Sequence, residues 1–98
     1  MEFESTVDDL TVEWEEDGQV VVEELDKFIL TKGAWATLMF MYRERNKTTG
    51  EWGDPKARIQ RYRKQKGRYT AQSKFNISSG KQARMIVGKL QEWFPEES

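Results

Sequence analysis

Alternating apolar and polar residues predict extended strands in the middle of the chain. The stretch 35–45 alternates with a period of two residues, and the stretches 56–65 and 68–77 follow it on either side of a tight turn at Lys66-Gly67. Residues 19–31 contain three consecutive valines, which favours a strand, but the segment 23–27 breaks the alternation and predicts a bulge or a helical turn. The pattern therefore predicts four strands, with a long hairpin loop at 46–55.

After residue 79 the period of the apolar residues changes to that of a helix. Ser79 is a suitable N-cap, Gln82 stands three residues later as in a capping box, and Pro95 ends the helix. One apolar stripe is formed by Ala83, Ile86, Val87, Leu90 and Phe94. The predicted fold class is thus α+β, with a four-stranded antiparallel sheet followed by a C-terminal amphipathic helix.

The first 18 residues offer few core positions, because Val12 and Trp14 alternate with acidic residues. We interpret this stretch as a loose arm or a short edge strand. The predicted organisation is an acidic N-terminal arm or edge strand at 1–18, a sheet-plus-helix domain at 19–95 and a tail at 96–98.

The composition narrows the functional classes. The 98 residues include no cysteine and no histidine, which removes thiolate nucleophiles, the commonest general base and the usual zinc ligands. We therefore expect a binding protein rather than an enzyme, with no catalytic residues, no metal and no cofactor. The acidic N-terminus and the lack of an apolar run of about 18 residues predict a cytoplasmic protein without a membrane partner.

The net charge of −1 conceals two segments of opposite sign. Residues 1–30 contain eleven acidic residues and one lysine, which gives −10, and residues 31–98 contain fifteen basic and six acidic residues, which gives +9. Such a division is typical of an acidic arm beside a basic binding surface. The alternative is that the two halves neutralise each other in the fold.

The densest basic segment is 56–68, in which seven lysines and arginines occur without an acidic residue. Aromatic residues are interleaved with it, and this combination favours a single-stranded nucleic acid, since cations bind the phosphates and rings stack on unpaired bases. Tyr62 shares a predicted face with Arg58, so we expect it to be exposed, whereas Tyr69 is expected in the core. Trp52, in a loop rich in glycine, either stacks on a base or folds back into the protein.

The junction Lys74-Phe75-Asn76-Ile77-Ser78-Ser79-Gly80-Lys81-Gln82-Ala83 and the loop 46–55 resemble those of the single-stranded-DNA-binding transcriptional coactivators of the positive-cofactor-four type, whose fold recurs in the Whirly and Pur-alpha proteins. The resemblance covers about residues 19–94. It implies a curved sheet, a homodimer formed partly through the helices and single strands lying across the sheet. Carried over by position, the nucleic-acid contacts are Arg43, Trp52, Lys56, Arg58, Tyr62, Lys64, Arg68 and Lys74.

The sequence thus predicts a dimeric, sequence-tolerant module that binds single-stranded nucleic acid, with DNA favoured over RNA, and that serves transcription or DNA metabolism. No small-molecule substrate is expected. The alternative function is a protein–protein adaptor that uses the acidic arm or the basic sheet on a charged partner. We also expect residues 1–18 to compete with the nucleic acid for the basic face.

Overall fold

A computed structural model describes residues 6–96, which form a curled antiparallel sheet and one C-terminal helix. The strands are adjacent in chain order, β1-β2-β3-β4-β5, and curl into a half-barrel. After a 3₁₀ turn at Val7–Asp9, the elements are β1 (Trp14–Glu16), β2 (Gln19–Thr31), β3 (Trp35–Glu44), β4 (Lys56–Gln65), β5 (Arg68–Ile77) and α1 (Gly80–Trp93). The α+β class and the curved sheet are confirmed. Parts of the predicted arm and tail, residues 1–5 and 97–98, lie outside the described residues.

The predicted number of strands was one too few. Residues 14–16 pair with the start of β2 and form the additional strand at one edge of the sheet, so the edge-strand interpretation of this region is confirmed. The turn between them has a positive φ at both Asp17 (50°) and Gly18 (79°), which suits a two-residue hairpin. The interruption predicted in β2 is a bulge, because Leu25 is skipped between the pairs Glu24–Tyr42 and Asp26–Met41.

One side of the sheet, which we call the core face, carries most of the buried side chains. The apolar alternation of β3 places Leu38 and Phe40 on this face, with exposures of 0% and 1%. The segment before β1 covers them, because Val7 and Val12 belong to the same buried cluster. The predicted boundary at residue 18 therefore separates residues that share one core.

The opposite side, which we call the outer face, is covered among the described residues only where the start of α1 lies beside Ile77, which is 5% exposed. In the register of the sheet, Phe28, Met39, Ile59 and Phe75 are successive cross-strand partners and form one apolar row. Phe28 and Phe75 are 62% and 54% exposed. The outer face is therefore an apolar surface open to solvent in the single chain.

The helix begins as predicted but scarcely packs on the sheet. Ser79 Oγ accepts a hydrogen bond from the Gln82 backbone N–H, and the Gln82 side chain accepts one from the Ser78 N–H. No residue of α1 is buried, and beyond Ile86 every residue of the helix is exposed. The radius of gyration is accordingly 15.9 Å, against about 13 Å expected for a compact domain of this length. Within residues 6–96, α1 is also too short and too polar to cross a membrane.

Candidate nucleic-acid interface

The two strands β4 and β5 form a hairpin without a single acidic residue, at the opposite edge of the sheet from β1. Its eight cationic residues, which we call the basic ribbon, are Lys56, Arg58, Arg61, Arg63, Lys64, Lys66, Arg68 and Lys74. The alternation of apolar and polar residues predicted both strands. Their antiparallel pairing brings together cations that are distant along the chain. The hairpin therefore concentrates positive charge at one end of the sheet.

Most of this charge is not neutralised within the protein. Across residues 6–96, Lys56 is the one member of the basic ribbon within 4.0 Å of a carboxylate, namely that of Glu44 at 3.4 Å. The acidic half of the chain instead pairs with cations outside the ribbon: Glu23 with Arg43 at 3.2 Å, and Glu16 with Lys47. The described residues before β1 make no ion pair with the ribbon, so in this structure they do not occupy it.

The Glu16–Lys47 pair ties the β1 edge to the loop 46–55. The hydrogen bond from Lys47 lowers the pKa of the Glu16 carboxyl, and the same bond raises the pKa of the Lys47 ammonium. Both groups are exposed to solvent, so the pair adds little to stability. Lys47 is therefore a cation paired with a carboxylate, unlike the cations of β4 and β5 other than Lys56.

The register of the sheet divides the basic ribbon between the two faces. Residues directly opposite one another across antiparallel strands share a face, so the partners of Leu38 and Phe40 lie on the core face. By this rule the core face carries Lys56, Arg58, Lys64 and Lys74, and the outer face carries Arg61, Arg63 and Arg68. Five of the eight predicted contacts, including Tyr62, therefore share one face, and Arg68 lies on the other.

Arg58 is held in a fixed position on the core face. Its Cζ lies 4.9 Å from the centroid of the Tyr42 ring, and its Nε donates a 2.7 Å hydrogen bond to Oδ1 of Asn76. Arginine that stacks on a ring keeps its remaining N–H groups available to an anion. The Tyr42 ring and Asn76 thus fix the orientation of the Arg58 guanidinium.

The expected exposure of Tyr62 was wrong. The side chain is 5% exposed and belongs to the buried cluster with Val7 and Val12, and this burial raises the pKa of its phenol. The residues that cover it come from a segment far away in the sequence. The Tyr62 ring is therefore part of the core and is not available for stacking on a base.

Tyr69 lies at the margin of the core, as expected. It packs against the buried cluster, and its hydroxyl donates a 2.7 Å hydrogen bond to the carbonyl of Gly33. The Lys64 ammonium lies 5.7 Å from the centre of its ring. This tyrosine therefore joins the β4–β5 hairpin to the turn before β3, and it places Lys64 beside an aromatic surface.

Arg43 and Trp52 lie together, outside the basic ribbon. Trp52 is half-buried, forms an isolated bridge with Arg45, and has the Arg43 Cζ 4.5 Å from the centroid of its ring. Arg45 reinforces the loop, because its Nε donates to the Gly50 carbonyl at 3.0 Å. The loop therefore folds back and places the Trp52 ring against Arg43 of β3, one of the two alternatives that the sequence had left open.

An exposed aromatic residue that the sequence places beside the basic segment, but that is not among the eight predicted contacts, lies on the outer face. Trp35, at the start of β3, is 42% exposed, and the guanidinium carbons of Arg61 and Arg63 lie 4.6 and 5.5 Å from the centroid of its ring. The alternation of β3 already placed Trp35 away from the core. Its arginine neighbours follow only from the β3–β4 register, in which Trp35 is opposite Arg63.

Comparisons of the chain with protein-family models, with curated proteins and with solved structures gave no match in any of the three. Within the described part of the chain, no three acidic side chains converge in a way that would hold a metal ion.

Proposed function

We propose that the protein binds single-stranded nucleic acid, DNA in the first instance, along the β4–β5 hairpin, as an accessory to transcription or DNA metabolism. The observation that carries the proposal is the charge of the basic ribbon, of which seven cations have no carboxylate within 4.0 Å across residues 6–96. Clustered cations repel one another, and a polyphosphate relieves that repulsion while releasing its own counterions.

On the core face, three of the proposed ligands stand free of carboxylates. Arg58 is preoriented by Tyr42 and Asn76, Lys74 lies nearby opposite Gln60, and Lys64 lies closer to the turn, opposite Tyr69. Contacts of this kind fix the backbone of the strand and carry no information about its bases. The proposed binding is therefore tolerant of sequence.

The test is the affinity for oligo-dT as a function of salt. Contacts to Z phosphates of a single strand predict a log–log slope of about −0.7Z. Replacing Arg58 and Lys74 with glutamine should weaken binding and make the slope shallower by about 1.4. The matched control is Lys47→Gln, which removes a cation already paired with Glu16 and should leave the slope unchanged. Affinity without salt dependence, or no binding at low salt, would refute the proposal.

We further propose that two copies of the chain pair through the outer face and the helix. Large apolar side chains on these two surfaces are between 43% and 75% exposed: Phe28, Met41, Phe75, Met85, Val87, Leu90, Trp93 and Phe94. At about 200 Å² for each side chain, they leave on the order of 1,000 Å² of apolar surface in water. A typical monomer exposes a largest patch of about 300–600 Å², and a standard interface covers about 800 Å² of each partner.

A second copy is the occupant that the geometry favours, because the chain carries both halves of an apolar contact and does not join them itself. Only the residues Ser78 and Ser79 connect β5 to α1, and the helix touches the sheet through its first turns alone. The exposed stripe of one helix and the apolar row of another sheet then bury each other in a two-fold pair.

The pairing is tested by sedimentation of two variants that carry substitutions at neighbouring positions of α1. Leu90 lies in the apolar stripe and Gln91 on the polar side, and both are exposed in the single chain. Leu90→Glu should convert a dimer into a monomer, whereas Gln91→Glu introduces the same charge and should leave the dimer intact. A wild-type chain that sediments as a monomer at micromolar concentration would contradict the pairing.

A further inference from the structure

Trp35 and two arginines form a compact cluster at the end of the outer face nearest the β4–β5 turn. The Arg61 and Arg63 guanidinium carbons lie 4.6 and 5.5 Å from the ring centroid, and 42% of the tryptophan surface remains exposed. Two successive outward positions of a strand are about 7 Å apart, so both arginines flank one ring. The cluster thus combines an accessible indole with two fixed positive charges.

The arginines of this cluster keep their hydrogen-bonding capacity. Across residues 6–96, neither Arg61 nor Arg63 makes an ion pair, and each guanidinium carbon lies over the Trp35 ring. A guanidinium stacked in this way presents its N–H groups at the edge, where a phosphate oxygen is bound in the plane. The neighbouring outward positions carry Thr37, Thr70 and Ser73, which keep this end of the face polar.

The core face of the hairpin lacks an aromatic surface of this kind. Tyr42 and Tyr62 are 2% and 5% exposed, and the hydroxyl of Tyr69 is tied to Gly33. Binding of a single strand ordinarily combines phosphate contacts with stacking of bases on rings. Among the described residues, the exposed ring beside unpaired cations of the basic ribbon is that of Trp35, on β3.

We propose that Trp35, Arg61 and Arg63 form a base-stacking site for one nucleotide of a single strand, with the exposed part of the indole on the base and the arginines on the flanking phosphates. This inference rests on the proposed nucleic-acid binding and extends it from the core face to the outer face. The strand then passes around the turn at Lys66, which lies between the two sets of cations.

The site remains accessible in the proposed dimer. The apolar row containing Met39 and Ile59 is four residues along β3 from Trp35, which corresponds to about 13 Å. The helix starts at the other end of β5, after Ile77, whereas Trp35 faces the β4 residues nearest the hairpin turn. A second copy seated on the apolar row and the helix therefore leaves the tryptophan uncovered.

The experiment measures oligo-dT binding to the full chain by anisotropy, together with the quenching of tryptophan fluorescence. Trp35→Leu should weaken binding about 5- to 100-fold, and Trp35→Phe should retain most of the affinity because it keeps a ring. The matched control is Trp14→Leu, which removes another exposed tryptophan that has no cation over its ring among the described residues. Quenching by oligo-dT should disappear in Trp35→Phe and persist in Trp14→Phe.

The phosphate contacts proposed for the two arginines are tested by the salt dependence of the affinity. Arg61→Gln and Arg63→Gln should each make the slope shallower by about 0.7, whereas Trp35→Leu should leave the slope unchanged. Equal affinities of the wild type and Trp35→Leu, with persistent quenching in Trp35→Phe, would overturn the site and leave the proposed function standing. Failure of the wild type to bind oligo-dT would overturn both. Quenching of Trp35 by polyglutamate to the same extent would show a general acidic-polymer site and overturn base stacking.

Discussion

The Lys27 ammonium donates a 2.8 Å hydrogen bond to the backbone carbonyl of Leu10 and thereby fastens the N-terminal segment to the sheet. The same group also donates to the carbonyls of Asp8, at 2.8 Å, and Val7, at 3.4 Å. All three protons of the ammonium are thus directed at one short stretch of backbone. Lys27 is the one cation among the first thirty residues, and its position explains how an acidic segment joins the core.

We predict that Lys27→Met destabilises the protein by about 1–3 kcal/mol, because hydrogen bonds from a charged donor are lost and the part-buried carbonyls of Val7 and Leu10 are left without it. The free energy of unfolding in urea measures the loss, and limited proteolysis should cleave before β1 first. Lys32→Met, which alters an exposed lysine beyond the end of β2, is the control and should be near neutral. Equal stabilities of the two variants would contradict the role of Lys27.

Two glycine-to-alanine substitutions should change stability in opposite directions. Gly18 has a φ of +79° and Gly88 lies inside α1, and an added methyl group would meet no atom within 4 Å at either position. We predict that Gly18→Ala costs about 1–2 kcal/mol, since the left-handed conformation is strained for alanine. Gly88→Ala should stabilise the protein by about 1 kcal/mol.

Thermal or urea unfolding of both variants tests this pair of predictions. Gly88 lies on the same side of the helix as Lys81 and Arg84, away from the apolar stripe, so the proposed dimer does not alter the expected sign. Destabilisation by Gly88→Ala would show that a backbone approaches the helix on its polar side.

Tyr62 should make stability fall at alkaline pH. Burial raises the pKa of its phenol in the folded state, so the folded state holds this proton more tightly than the unfolded state. The contribution is present below the unfolded pKa of about 10 and is lost as the pH rises through the folded pKa. Tyr62→Phe should therefore lessen the loss of stability above about pH 10.

The measurement is the urea midpoint across the alkaline range. Tyr69→Phe is the comparison, because it removes a hydroxyl that donates to Gly33 and should lower stability at neutral pH as well. If stability falls at alkaline pH as much in Tyr62→Phe as in the wild type, other groups account for the loss.

The contribution of the N-cap of α1 to the stability of the protein should also be measurable. Ser79 Oγ accepts from the Gln82 N–H at 3.1 Å, and Ser79→Ala removes that acceptor. We predict a loss of about 1 kcal/mol. Ser78→Ala is the neighbouring control, because only the backbone of Ser78 takes part in the cap. The helix signal in circular dichroism during thermal unfolding separates the two variants; equal losses would contradict the assignment of the cap.

The structural features that the sequence predicted correctly are those that depend on residues close together along the chain. The bounds of β4 and β5 followed from the period of two and the turn at Lys66-Gly67, and the start of α1 from Ser79 and Gln82. The exposure of Tyr62 depends on Val7 and Val12, which lie some fifty residues earlier and cover it. Such contacts depend on how a segment folds back, and alternation within one strand contains no information about that.

The candidate site could be predicted only in part, for the same reason. The positive charge of the hairpin is a property of its sequence, but its division between two faces and the pairing of Trp35 with Arg63 depend on the register. Likewise, the partners of Arg43 and Lys56 are acids on neighbouring strands, Glu23 and Glu44, which the composition alone could not assign.

The position of β5 at the open edge of the sheet has a consequence for solubility. A strand with a neighbour on one side only presents unpaired backbone groups to other chains, and natural proteins protect such edges with charge. Arg68 and Lys74 are the charged residues of β5, so the cations that would contact a nucleic acid also act as gatekeepers against edge-to-edge aggregation. Neutralising both should therefore promote fibrillar assembly, and their substitution should be assayed for soluble protein as well as for binding.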